Sequence, residues 1–191
     1  MILSWIMLQN IFSNWSDMMI AYEINVKLNK FEFPTSRHML IPQGITFSKL
    51  NDILRLSFGF DAFRAYSFIV DGLNVEIADP RSSDSFKIDS RDTYINNYFK
   101  LFKKIDYRYH FTENWMFTIK IKKAVDVNFG HAKILDFEGE FNLLEGFFGP
   151  YYVEELIYSY YHPEQLDESR FDLNDLEKFD LDETNNKLKG L

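Results

Sequence analysis

The sequence contains no cysteine, which removes disulfides, thiolate metal sites and cysteine nucleophiles together. Eight glycines and five prolines in 191 residues are too few for a collagen-like or linker-like chain. The glycine-dependent motifs G-x-x-x-x-G-K-[ST], G-x-G-x-x-G and G-x-S-x-G are all missing, so no phosphate-cradling loop or nucleophile elbow can be written. Histidine occurs at positions 38, 110, 131 and 162, with no two lying three to five residues apart. A helical pair of metal ligands is thereby excluded, and neither a metal nor a cofactor is expected. Basic residues are outnumbered, 21 against 29 acids, and the net charge of -8 has the wrong long-range sign for nucleic acid or an anionic membrane. Nucleic acid as a partner is disfavoured on that ground, and a membrane is not expected.

What the chain does have is apolar and aromatic surface. At 46% hydrophobic and 18% aromatic, it can bury one sizeable core, and disorder is ruled out for most of its length. One domain is the expectation, at residues 20–191, acting in the cytoplasm. Residues 1–19 read as an N-terminal extension. Leu8, Ile11, Phe12 and Trp15 follow helical spacing, which suits an amphipathic helix. Met18 and Met19 directly precede the first strand pattern, so a start-site artefact is the alternative. No Lys or Arg precedes Lys27, which argues against a secretory signal and against an interfacial membrane helix.

From Tyr22 to Asn29 apolar and polar residues alternate as in a half-buried strand. Thr46 is placed to cap a helix carrying Phe47, Leu50, Ile53, Leu54 and Phe58, with Gly59 at its end. Asp71-Gly72 reads as a two-residue hairpin turn. Asp92 or Thr93 is placed to cap a helix of about three turns, with Ile95, Tyr98, Phe99 and Phe102 on one stripe. Residues 105–122 form the most ordered pattern. Ile105, Tyr107, Tyr109 and Phe111, then Trp115, Phe117, Ile119 and Ile121, alternate with polar and basic residues. The result is a hairpin with one aromatic and one basic face. Another strand is read at Ala132–Phe137, and Gly149-Pro150 opens a further helix. The fold class predicted is α+β: a single domain with a largely antiparallel or mixed sheet and helices packed on its one aromatic face.

Candidate ligand-binding residues gather at the hairpin tip. His110, Glu113, Asn114 and Trp115 offer an imidazole, an acid, an amide and an aromatic platform within six residues, and Glu145 is a further acid. Ordinary turn chemistry is the competing reading. Arg108, Lys120 and Lys122 form a candidate basic patch on the hairpin's other face. Residues 163–191 hold nine acids and four cations, so this tail is a candidate to fold back and shield that patch. Its run Asp172–Glu183 has the length of a calcium loop, but Leu176 and Glu177 stand where an oxygen ligand and the turn glycine belong. Asp172 and Asp182 read instead as helix caps.

Taken in order, these pieces resemble the plasmid pRiA4b ORF-3-like family, whose members are also labelled as passenger proteins of mobile elements. The resemblance rests on Pro34, Arg37, Pro42, Ile45-Thr46-Phe47 and Phe58-Gly59-Phe60 in the opening segment. It continues through Tyr109 to Trp115, Glu145 with Phe148-Gly149-Pro150-Tyr151, and Phe179-Asp180-Leu181 with Asn185 and Leu188. It implies an α+β fold and a mobile-element association, but no settled reaction. The chain is a diverged member, because Asn51, Tyr66 and Phe117 stand at family histidine positions, and His110 and Thr112 replace the Asp and Gly of the central motif. The first functional expectation is therefore a non-catalytic domain binding a protein or small ligand. An enzyme using Glu113, His110 and Glu145 for acid-base work is the alternative, and a nucleic-acid-binding accessory protein is a third.

Overall fold

The chain alternates apolar and polar residues over long strands, and in the computed structural model these assemble into one eight-stranded sheet. The structure describes residues 18–70, 72–73, 75–81, 87–145, 149–166 and 170–191. The readings made for residues 1–17 and for Asp71 lie outside them. The strands are β1 (Met19–Leu28), β2 (Ser36–Pro42), β3 (Tyr66–Val70), β4 (Val75–Ala78), β5 (Ile88–Asp89), β6 (Lys104–Tyr109), β7 (Trp115–Val127) and β8 (Lys133–Glu138). Their order across the sheet is β5-β4-β3-β6-β7-β1-β2-β8. Every pairing is antiparallel except β4 with β5, which is parallel. The helices are α1 (Phe47–Ser57), α2 (Asn96–Phe99), α3 (Pro150–Tyr161) and α4 (Leu181–Lys189). A mixed sheet within one α+β domain is the class the alternating pattern predicts.

The aromatic parity of the strands decides which side the helices cover. Tyr107, Tyr109, Trp115 and Phe117 are wholly buried in one core cluster with Phe47, Leu50 and Leu54 of α1. Burying each such side chain stabilises the fold by roughly 1.5–3 kcal/mol. Phe58 and Phe60, just past α1, plug this layer: Phe58 meets Phe117 at 4.6 Å between ring centroids, and Phe60 stacks on Tyr109 at 4.6 Å. Thr46 caps α1 as the sequence predicts, its hydroxyl accepting from the Lys49 amide at 3.2 Å.

Arg37 of β2 is also buried in this layer. Its Nε donates to the Ser57 carbonyl at 2.9 Å, its Nη1 to the carbonyls of Ser36 and Glu138, and its guanidinium lies 3.8 Å from the Phe179 ring centroid. Burial pulls its pKa down to about 9, which leaves it a cation at neutral pH.

Three expectations are corrected. The helix after Thr93 is four residues long rather than three turns, and Thr93 bonds the Asp89 carbonyl instead of capping it. Asp180, not Asp182, caps the last helix, accepting from the Glu183 amide at 2.8 Å; Asp172 caps only a short 3-10 turn. The acidic tail does not cover the basic hairpin face. Phe179 and Leu188 are buried in the aromatic core, and α4 packs on α1 and the edge strand β8, on the opposite side from Lys120 and Lys122. Apolar burial outweighs the attraction of exposed charges, which is about 0–1 kcal/mol per pair.

Candidate functional site

The hairpin tip is shaped by two residues that adopt left-handed backbone. β6 ends at Tyr109, His110 takes φ +51° and Asn114 takes φ +60°, and the Asn114 amide closes the turn on the His110 carbonyl at 2.7 Å. This geometry folds Glu113 back over the tip. Its Oε2 accepts from Trp115 Nε1 at 2.8 Å, and its Oε1 lies 2.9 Å from His110 Nδ1. The imidazole sits within ion-pair distance but off the line of a hydrogen bond. Trp115 itself is 0% exposed, with Phe60 at 5.3 Å between centroids. It is a core anchor with its one polar atom satisfied, whereas Asn114 is exposed.

Glu145 reaches the same corner from 30 residues further along the chain. Its carboxylate accepts from Tyr109 Oη and from the Ala62 amide at 3.1 Å, with Arg64 Nε at 3.9 Å. Tyr109 pairs directly across the ladder with Trp115. The two acids thus serve neighbouring buried rings, Glu113 through the indole and Glu145 through the phenol. Burial first, and the Glu145 carboxylate second, drive the Tyr109 phenol well above its ordinary range. Gly149 completes the junction: it adopts φ +70° and ψ -154°, and a Cβ there would stand 2.8 Å from the Glu113 carbonyl oxygen. Among the candidates, Glu113 touches both His110 and Trp115 locally, and the Tyr109 pairing and Gly149 bring the Glu145 segment beside them.

The basic patch does lie on the sheet's other, open face, but most of it is engaged. Arg108 is half-buried, its guanidinium 4.7 Å from the Phe111 ring centroid. Lys104 pairs with Asp106 at 3.0 Å. Lys122 lies 3.2 Å from His38 Nε2 and 3.6 Å from Glu23, which Lys123 also meets at 3.4 Å. Lys120 is exposed. Glu23 is the hub that the sequence reading missed. A β-bulge at Glu23/Ile24 against β7 brings Lys122 and Lys123 to it together, and a break in register of that kind leaves no mark on simple alternation. The hydrogen bond with His38 is the largest influence holding the Glu23 carboxyl below its usual range, with burial opposing it. Asn25, Ser36, His38, Lys122 and Asp136 border a shallow hollow of about 220 Å³ beside this hub.

Among the described residues, no group of three or more His, Asp and Glu side chains is arranged to hold a metal ion, and no helix is long and apolar enough to cross a membrane. The C-terminal elements of the sequence pattern serve the fold. Phe179 covers Arg37, and the Asn185 side chain pairs with both backbone groups of Ile134, accepting from the amide at 2.7 Å and donating to the carbonyl at 3.0 Å. Asn185 thereby occupies the backbone groups of Ile134 on the free edge of β8.

The family model described as "Plasmid pRiA4b ORF-3-like protein" matches residues 20–187. No curated protein matches the chain. The crystal structure of a protein of unknown function, MM3350 from Methanosarcina mazei Go1, is similar in fold. Its TM-score is 0.66 at 15% sequence identity, over 86% of this chain and 97% of that one.

Proposed function

The chain belongs to the plasmid pRiA4b ORF-3-like family, and we propose that it acts as a non-catalytic binding domain, taking a protein or small ligand in the cytoplasm on behalf of a plasmid or other mobile element. The observation that carries this reading is the commitment of the two carboxylates among the three acid-base candidates Glu113, His110 and Glu145. Glu113 accepts from the buried Trp115 indole, and Glu145 from the Tyr109 phenol and the Ala62 amide. A general base must be free to reach a substrate proton, and here the carboxylate oxygens hold the fold's own donors instead. The absent cysteine and the missing nucleophile motifs point the same way. The nucleic-acid reading has less support, because Glu23 and Asp106 already pair with Lys122, Lys123 and Lys104.

The test is a thermal-shift screen of the full chain against a panel of small metabolites, with each stabilising compound recovered after overnight incubation and weighed by mass spectrometry. Binding without conversion is expected. Recovery of a chemically altered compound, with the conversion lost in Glu113→Gln or Glu145→Gln, would overturn the reading in favour of an enzyme.

A further inference from the structure

The parallel pairing of β4 with β5 sets two copies of one local device side by side. Ala78 is paired with Asp89, and each strand runs out into an Asp-x-Arg turn: Asp79-Pro80-Arg81 and Asp89-Ser90-Arg91. In the first, Arg81 donates its backbone amide to Asp79 at 2.9 Å and forks onto the carboxylate through Nε, at 3.0 and 3.1 Å, and Nη2, at 2.5 Å. In the second, Arg91 repeats the arrangement on Asp89, with the amide at 2.8 Å, Nε at 3.2 Å and Nη2 at 2.7 Å. Both arginines border one hollow of about 280 Å³, together with Asp52, Tyr66 and Phe63.

The frame of this hollow is tied down from several sides. The first amides of α1 are held by this loop, Phe47 by the Thr93 carbonyl and Ser48 by the Ser90 carbonyl, both at 2.9 Å. Ser90 Oγ in turn meets Tyr66 Oη at 2.8 Å. Phe63 is 67% exposed at the rim, with the Arg55 guanidinium 4.5 Å from its ring centroid, and Arg55 also holds the Phe60 and Asp61 carbonyls. An aromatic ring fixed from behind and open in front is a stacking platform.

We propose that this hollow binds a small phosphomonoester carrying a planar ring, with the phosphate on Arg81 and Arg91 and the ring on Phe63. The fork onto each aspartate uses two of a guanidinium's five N–H donors and leaves three, so the carboxylates aim the arginines without consuming them. Two aimed guanidiniums in the turns that follow adjacent strands suit the three terminal oxygens of a phosphate better than the two of a carboxylate. Asp52 also borders the hollow, and burial holds its carboxyl above its usual range against the opposing pull of Arg55 and Lys49. No sequence motif announces the site, because the phosphate would be held by side chains rather than by a glycine-rich backbone.

The proposal rests on the binding reading above and is tested by NMR titration of the full chain with adenosine 5′-monophosphate, inorganic phosphate and adenosine. Saturable binding is expected in the order monophosphate, then phosphate, then adenosine, with shifts at residues 79–81, 89–91 and 63. Arg91→Gln should weaken the monophosphate and phosphate at least tenfold, and Phe63→Ala should weaken the monophosphate and adenosine while leaving phosphate unchanged. Both residues are more than half exposed, so neither change threatens the fold. Lys120→Gln, on the open sheet face, should change nothing. Failure of all three probes to saturate, or equal affinity in wild type and Arg91→Gln, would overturn this site while leaving the binding reading to other ligands. Hydrolysis of the monophosphate during the titration would instead overturn the non-catalytic reading.

Discussion

Gly149→Ala should be among the most damaging single-methyl changes available in this protein. The residue adopts φ +70° and ψ -154°, a region that L side chains essentially do not enter, and holding alanine there costs about 1–3 kcal/mol. The new Cβ would also stand 2.8 Å from the Glu113 carbonyl oxygen and 3.2 Å from its Cβ. Backbone at the tight hairpin tip cannot step aside as a flexible side chain would, so overpacking adds about 1–3 kcal/mol. Alanine restricts the unfolded chain and returns about 0.4–1 kcal/mol. The balance is a loss of roughly 2–5 kcal/mol, and at about 2–4 °C per kcal/mol for a chain of this size the thermal midpoint should fall by roughly 5–15 °C. Gly44→Ala is the control, because Gly44 shares a positive φ of +87° but has nothing within 4 Å of the built Cβ. It should show the conformational penalty alone, about 1–2 kcal/mol. Urea unfolding followed by tryptophan fluorescence measures both. Equal losses for the two variants would refute the argument that Gly149 is required by its contact with the hairpin tip.

Trp115→Ala removes a wholly buried ring and should destabilise by about 3–5 kcal/mol; a loss below about 1 kcal/mol in urea titrations would contradict its burial. Asn185→Ala frees the Ile134 amide and carbonyl on the edge of β8, and should cost about 1–3 kcal/mol. Light scattering should also show concentration-dependent self-association through the opened edge. The Tyr66, Tyr107 and Tyr109 phenols are all raised by burial above their ordinary value of 10.0. The unfolded chain therefore loses these protons first, so their contribution is complete below pH 10 and is lost as pH rises beyond it. Tyrosinate absorbance should then appear together with the loss of near-ultraviolet circular dichroism, whereas ionisation of the buried phenols without unfolding would contradict this.

Local chemistry determined much of this protein from sequence. The strands around Ile24, Tyr107 and Ile119 are legible because parity of side chains along an extended chain needs no partner to be seen. The Thr46 cap and the aromatic burial of Trp115 follow from residue type and neighbours within a few positions. His110, Glu113 and Trp115 interact because five residues cannot carry them apart. The short α2 escaped because its stripe of Ile95, Tyr98, Phe99 and Phe102 is packed by tertiary contacts as a single turn followed by a bend, which helical spacing cannot distinguish from a longer helix. Only the folded chain could decide the rest. Glu145 meets Tyr109 across 36 residues, and that pairing depends on where Gly149 turns the chain. The tail carried both an acidic surface and buried anchors, and its side of the sheet was set by what Phe179 and Leu188 bury rather than by what its charges attract. Asp79-Pro80-Arg81 and Asp89-Ser90-Arg91 are each visible as a local pattern, yet nothing in one dimension says that β4 and β5 lie parallel. The two guanidiniums become one site only when the sheet registers Ala78 against Asp89.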